Sequence, residues 1–333
     1  MTMRGFLLAS MIFLFSSVTV VWLLRTEASG MGGLSVVIID ALASIVALGF
    51  ILAHNAVWLT IPFITLILFG ILSDRSRIMP VLNAVVGVFM LQAGFALLKG
   101  SIPLILPFWA DIQLARIDEM LHGIAPWIWI YSAPDWLISI AVKFGPMLYT
   151  SVWAIAALGL PIIVAATDKD DARVRRTMLL YFFCWLGIGT ILAILGSSVG
   201  PVFLGRLIET NSFSGLDAAL LASGLNETSI GMTQKALWQG YASGNAGMGI
   251  SAFPSVHLAI ATLTAIYLGE RHLGLLPLGV IFVVAIQFMS VFSGYHYAVD
   301  GYASIILLTL AWVALRHRTL ARVGRAPKIE AST

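Results

Sequence analysis

Charge is scarce in this chain. Only 11% of its 333 residues are Asp, Glu, Lys or Arg, against about 25% in soluble domains. A soluble globular protein is thereby excluded. The net charge of +3 lies mostly in short segments between apolar runs, which argues against a nucleic-acid partner. There is one cysteine, Cys184, inside an apolar run. No intrachain disulfide and no cysteine-rich metal site can form from it. No P-loop, dinucleotide fingerprint, H-E-x-x-H or D-x-D signature occurs, so no cofactor and no metal is expected. No internal repeat is evident.

What is present is apolar. Hydrophobic residues make up 59% of the chain and the mean hydropathy is +0.96. Runs near 5–24, 34–53, 56–73, 79–98, 136–165, 174–196, 253–270, 273–292 and 298–315 are each about long enough to span a bilayer. Backbone groups in lipid must be satisfied within their own segment, so helices are expected. The fold class read from this pattern is an all-α polytopic membrane protein of about nine transmembrane helices. The opening run has no small-residue cleavage site and reads as a retained span rather than a signal peptide.

Lys and Arg fix the expected orientation. "SDRSR" at 73–77, "DKDDARVRR" at 168–176, "ERH" at 270–272 and "RHRTLARVGR" at 316–325 fall on one side, taken as the cytoplasm. The loop 197–252 and the junction 292–297 then face the other side. The same count puts the N-terminus outside, against which Arg4 speaks. Four segments follow: N-terminal helices over 1–98, an interfacial segment 99–135, a catalytic core 136–317 holding the loop 197–252, and a basic flexible tail 318–333. In the second segment Leu114, Ile117, Leu121 and Ile124 recur at helical spacing, with Asp111, Arg116 and Glu119 between them.

Two histidines carry the chemistry. His257 lies in "SAFPSVHLAIAT" and His296 in "SGYHYAVDGYAS". Two spans joined by a short turn separate them, so both sit at one membrane depth on one side. His296 and Asp300 are at i and i+4, a spacing that shares a helix face. A carboxylate accepting Nδ1–H fixes the tautomer and frees Nε2 for attack. His257 then suits a general acid. Pro254 and Ser255 open the helix before it, where unpaired N–H groups favour an anion. The plain alternative is that such residues anchor span ends at the interface. One His–Asp pair alone would favour that alternative; two converging histidine segments do not.

"FPSVH" and "GYHYAVD" resemble the second and third motifs of the type-2 phosphatidic acid phosphatase superfamily, P-S-G-H and S-R-x5-H-x3-D. The resemblance covers about 190–315. It implies a six-helix core in the C-terminal part and a metal-free mechanism through a phosphohistidine. It makes His296 similar to the nucleophile, Asp300 to its orienting carboxylate, His257 to the general acid and Ser255 to the phosphate-contacting serine. Three positions depart from the pattern. Val256 replaces the motif glycine and Ser290 the motif arginine. The first motif, K-x6-R-P, is left with Ala193 and Gly200 before Pro201.

This pattern looks more like the branch of inositol phosphorylceramide and sphingomyelin synthases, which move a phosphorylated head group between lipids. A phosphomonoester carries nearly two charges and a diester one, so a cation-poor site suits the diester. Arg206, Lys235 and Lys143 are the candidate replacement cations. For the first two the plain alternative is a solvated loop charge, and for Lys143 it is snorkelling to the interface. Asp40, Asn83 and Gln92 read as helix-packing residues. His122 reads as an interfacial histidine, and Trp127, Trp129 and Trp136 as an aromatic belt.

The expectation is a metal-independent lipid phosphatase or phosphotransferase, leaning to head-group transfer. Its partner is the bilayer, its substrate a phospholipid, polyprenyl or sphingolipid-type lipid. Its place is a bacterial inner membrane with the site facing the periplasm. A simple lipid phosphate phosphatase and a non-catalytic lipid-binding or lipid-moving protein are the alternatives.

Overall fold

The computed structural model describes residues 1–29, 34–55, 57–208, 213–244 and 249–323. Among these residues every regular element is a helix, and there is no strand. The N-terminal part holds α1 (Met3–Ser29), α2 (Leu34–Asn55), α3 (Val57–Ser73) and α4 (Ile78–Ile105). Two short helices follow, α5 (Asp111–His122) and α6 (Pro126–Tyr131). Next come the long helices α7 (Asp135–Thr167) and α8 (Asp171–Leu195). The loop beyond them carries α9 (Pro201–Leu207), α10 (Ser214–Ser223) and α11 (Ser229–Ala242). The chain closes with α12 (Val256–Arg271), α13 (Leu276–Phe292) and α14 (Ala298–Val323). The predicted tail 318–333 is helical to Val323, and residues 324–333 lie outside the described residues.

Six helices are long and apolar enough to cross a membrane, among the described residues. Of the three other predicted runs, two fall on α2 and α3, helices of 22 and 17 residues. The third, α12, has 16 residues and spans roughly 24 Å at 1.5 Å per residue, less than the hydrocarbon thickness of about 30 Å.

The basic segments gather at one end of the bundle and tie it together. Arg173 makes a two-pronged contact with Asp168 at 2.7 and 2.6 Å. Arg176 does the same with Glu270 at 2.9 and 2.6 Å. The Trp312 indole donates to that glutamate at 2.6 Å, and Arg77 donates to the carbonyl of Asp168 at 2.9 Å. Paired guanidinium–carboxylate contacts fix geometry as well as charge, so the ends of α4, α7, α8, α12 and α14 are held in register.

The N-terminus lies at this same end, which corrects the expected orientation of the first span. The Met1 amino group donates to the carbonyl of Arg175 at 2.8 Å. The far end of α1 is held at the opposite face, where Arg25 pairs with Asp40 at 3.5 Å. Arg4 therefore sits among the other cations, as the positive-inside bias requires. The change follows from α2 and α3. They lead from the Arg25 end back to Asp74, so together they make one net crossing. Close packing of α1 on α4 uses Gly87 and Gly94. A Cβ on either would stand 2.7 Å from Phe6 or 3.0 Å from Phe13.

Candidate active site

The chain leaves α13 through a turn with Gly294 at φ +71° and re-enters helix at Ala298. His296 lies in that turn and Asp300 in the first turn of α14. The four-residue spacing predicts a shared helix face; instead the contact bridges turn and helix. His296 Nδ1 is 3.2 Å from Asp300 Oδ2. That oxygen also accepts the Tyr297 N–H at 3.1 Å, and the His296 N–H donates to Ser290 at 3.2 Å. The helix starts late because its orphan N–H groups are taken from outside. Asp118 accepts from Ala298 at 2.7 Å and from Val299 at 2.9 Å, the work of an N-cap.

Ser255 caps α12, and its hydroxyl lies 3.2 Å from His296 Nε2. Its N–H donates to the Asp300 carbonyl at 3.2 Å. With Nδ1–H given to the carboxylate, Nε2 is the acceptor and the serine the donor, a tautomer assigned from the network. His296 is buried at 6% exposure. Burial, with the Lys99 charge as a second cause, pushes its pKa down to about 3. The imidazole is thus neutral, with a nucleophilic lone pair.

His257 stands opposite, its ring centroid 5.9 Å from that of His296. It is clamped between Tyr149, stacked at 4.3 Å, and Trp153, stacked at 4.0 Å. The Trp153 indole N–H donates to the His257 carbonyl at 3.1 Å. Two aromatic faces hold the ring in place. Tyr149 comes from a π-helical stretch of α7, Met147–Val152. A second π-helical stretch, Phe183–Leu192 of α8, brings Trp185 and Gly189 to the same place. Such stretches are frequent at functional sites because they re-aim side chains.

Both histidines open onto a cavity of about 390 Å³. Its polar end is lined by His257, His296, Ser251, Tyr295 and Lys99. Its other walls are Phe95, Trp153, Ala157, Leu158 and Trp185. Among the described residues no group of three or more His, Cys, Asp or Glu is placed to hold a metal ion.

The departures from the family pattern have structural counterparts. Gly200 has φ +85°, and a Cβ there would lie 2.3 Å from the Tyr295 carbonyl oxygen, so no arginine fits. Its N–H is used by Asp111, at 2.9 Å. Ser290 pairs with the Tyr149 hydroxyl at 3.3 Å. Val256 packs against Gly189, where a Cβ would stand 2.7 Å from the valine methyl.

Of the residues singled out in the sequence, His296, Asp300, His257 and Ser255 come together, and Pro254 lines the cavity. Gly200 lies behind it. Arg206 is exposed and stacks on Phe203 and Trp238 at 5.9 and 5.4 Å. Lys143, over the Phe144 ring at 5.3 Å, and Lys235 are exposed as well. None of these three cations lines the cavity.

Sequence reasoning missed three residues. Lys99 lines the cavity from α4. Asp111 and Asp118 lie in the predicted interfacial segment but turn inward, each 3% exposed, while Ile117, Met120 and Leu121 face outward. Burial raises both carboxyl pKa values, against the pull of the N–H groups they accept. Their seven-residue spacing, with Leu114 between, was the available signal.

The sequence model of the PAP2 superfamily matches residues 112–314. No curated protein and no solved structure matches the chain.

Proposed function

The chain belongs to the PAP2 superfamily, and from that premise we propose that it is a lipid phosphotransferase working through a phosphohistidine. His296 Nε2 attacks phosphorus while Asp300 holds the Nδ1 proton. His257 gives a proton to the leaving oxygen, and the P–O bond breaks as the N–P bond forms. A second lipid's hydroxyl then attacks the phosphohistidine, returning its proton to His257 and freeing His296. Ser255, whose hydroxyl lies 3.2 Å from Nε2, turns to a non-bridging phosphate oxygen as the bond forms. Resolution by water instead would make the same site a lipid phosphate phosphatase.

The observation that carries the reading is the line Asp300–His296–Ser255, with 3.2 Å at each step, ending beside a cavity with His257 on its far wall. A binder has no need of an oriented, neutral imidazole. The lean toward transfer, as in the synthase branch, is supported by the cavity's apolar walls and its cation-poor polar end. A volume of about 390 Å³ suits one ligand of modest size, so donor and acceptor enter in turn, as a covalent intermediate requires. The reading carries with it a site on the extracytoplasmic face of a bacterial inner membrane.

The test is turnover by the full-length purified protein on phospholipids and lipid phosphates labelled at phosphorus, with chelator present. Acid-labile label on the protein, lost in His296→Ala, is the expected result, with a new phospholipid as product. Free phosphate as the only product overturns transfer in favour of hydrolysis. Turnover that survives His296→Ala overturns the mechanism.

A further inference from the structure

We propose that Lys99 holds the non-bridging oxygens of the substrate's phosphate. The assignment rests on the reading of the site given above and adds to it a binding residue from outside the matched segment 112–314.

Lys99 follows Gln92 by seven residues and Phe95 by four, so the three share one face of α4. All three line the cavity. Among the described residues the rest of the lining includes no Lys, Arg, Asp or Glu, so Lys99 is the one ammonium or guanidinium group on the wall. Among the described residues no carboxylate lies within ion-pair distance of it. Its ammonium sits 6.0 Å from the Phe95 ring centroid, at the outer limit of a cation–π contact. An ammonium in a membrane-spanning helix is costly without a counter-ion, and one facing an apolar cavity awaits an anion from the ligand.

The family's own cation positions point the same way. Here they hold Ala193, Gly200 and Ser290. Ala193 lines the cavity and brings no charge to it. Gly200 is closed to any side chain by the Tyr295 carbonyl, and Ser290 is spent on Tyr149. Arg206, Lys143 and Lys235 lie elsewhere. A phosphate beside His296 thus meets one fixed cation, from α4, whose backbone is packed beneath Gly249 on the loop leading to the site. A Cβ on Gly249 would lie 2.3 Å from the Lys99 carbonyl carbon. A lysine ammonium is a compact charge with three donors, suited to the oxygens of one phosphate.

The probe is inorganic phosphate, titrated against thermal unfolding of the full-length protein in uncharged detergent. Phosphate is expected to raise the melting temperature of the wild-type chain. In Lys99→Met its apparent Kd should weaken about tenfold or more, the weight of one charge-assisted contact. The unliganded Lys99→Met chain should melt no lower than wild type, since a half-buried charge is gone. Lys99→Gln gives the same comparison should the methionine variant fold poorly, and Lys99→Arg should bind within about threefold of wild type, as one cation replaces another.

No phosphate-induced shift in the wild type, or a shift of equal midpoint in both neutral variants, overturns the assignment. Lipid turnover separates this outcome from the catalytic reading. His296-dependent turnover with Lys99-independent phosphate binding removes Lys99 and spares the mechanism. Lys99-dependent binding without turnover on any lipid does the reverse.

Discussion

The Oδ2 of Asp118 accepts the N–H of Ala298 at 2.7 Å across 180 residues of chain. Its Oδ1 takes the Val299 N–H at 2.9 Å. One buried carboxylate of α5 thereby fixes where α14 begins, and with it Asp300 and His296. Asp118→Ala should leave both N–H groups unpartnered at a buried site and cost about 1–3 kcal/mol. Burial already holds this carboxyl above its usual pKa, so its charge is carried at a cost. Asp118→Asn, neutral but still an acceptor, should melt within a few degrees of wild type. Thermal unfolding and kcat of the two variants check this; equal loss in both would show that charge, not capping, is what matters.

On the proposed mechanism Asp300 orients His296 and His296 attacks phosphorus, so their substitutions should differ in kind. His296→Ala should abolish turnover and phosphoenzyme formation. Asp300→Asn should lower kcat by about 10²–10⁴ with KM little changed, because the wrong tautomer is presented to the phosphate. Single-turnover kinetics separate the two cases. A fall in KM alone would count against the orienting role.

The lowered pKa of His296, about 3, has a sign that can be measured in stability. Below about pH 6.5 the unfolded chain takes up a proton at this residue that the folded chain refuses. The unfolded state then binds more protons, so stability falls as pH drops from 6.5 toward 3. By pH 5 the loss from this one group should reach roughly 2 kcal/mol. His296→Asn should flatten that part of the profile. Melting temperatures of wild type and variant between pH 7 and pH 4.5 provide the comparison, and parallel curves would place His296 among ordinary exposed histidines.

Restoring the family's arginine at position 200 should harm the protein. Gly200 sits at φ +85° with the Tyr295 carbonyl 2.3 Å from where a Cβ would be. Left-handed backbone costs a side chain about 1–2 kcal/mol, and the overlap adds about 1–3 kcal/mol. Gly200→Arg is expected to lower both melting temperature and activity. Higher activity at unchanged stability would mean that the turn yields and that the missing cation had limited the rate.

Much of the site was legible because its parts are local. His296 and Asp300 are four residues apart and Ser255 and His257 two, so chain geometry alone brings each pair together. The apolar runs between them return the chain to the face it left. The basic end was legible for a similar reason, since short charged loops need no partner to be read. Even so, the helix starts at Ala298, not before His296, because Asp118 supplies the cap from far along the chain.

Composition and spacing thus determined a helical membrane protein with a His–His–Asp set at one face, since a bilayer leaves the backbone few choices and four residues leave a side chain little freedom. Only the tertiary structure decided which cation lines the cavity, which end of the bundle holds the N-terminus, and that two acidic residues of α5 point inward. The last two depend on pairing between segments 88 to 180 residues apart. No periodicity records such contacts, because the energy that selects them, cap, counter-ion or packed face, exists only once both partners are in place.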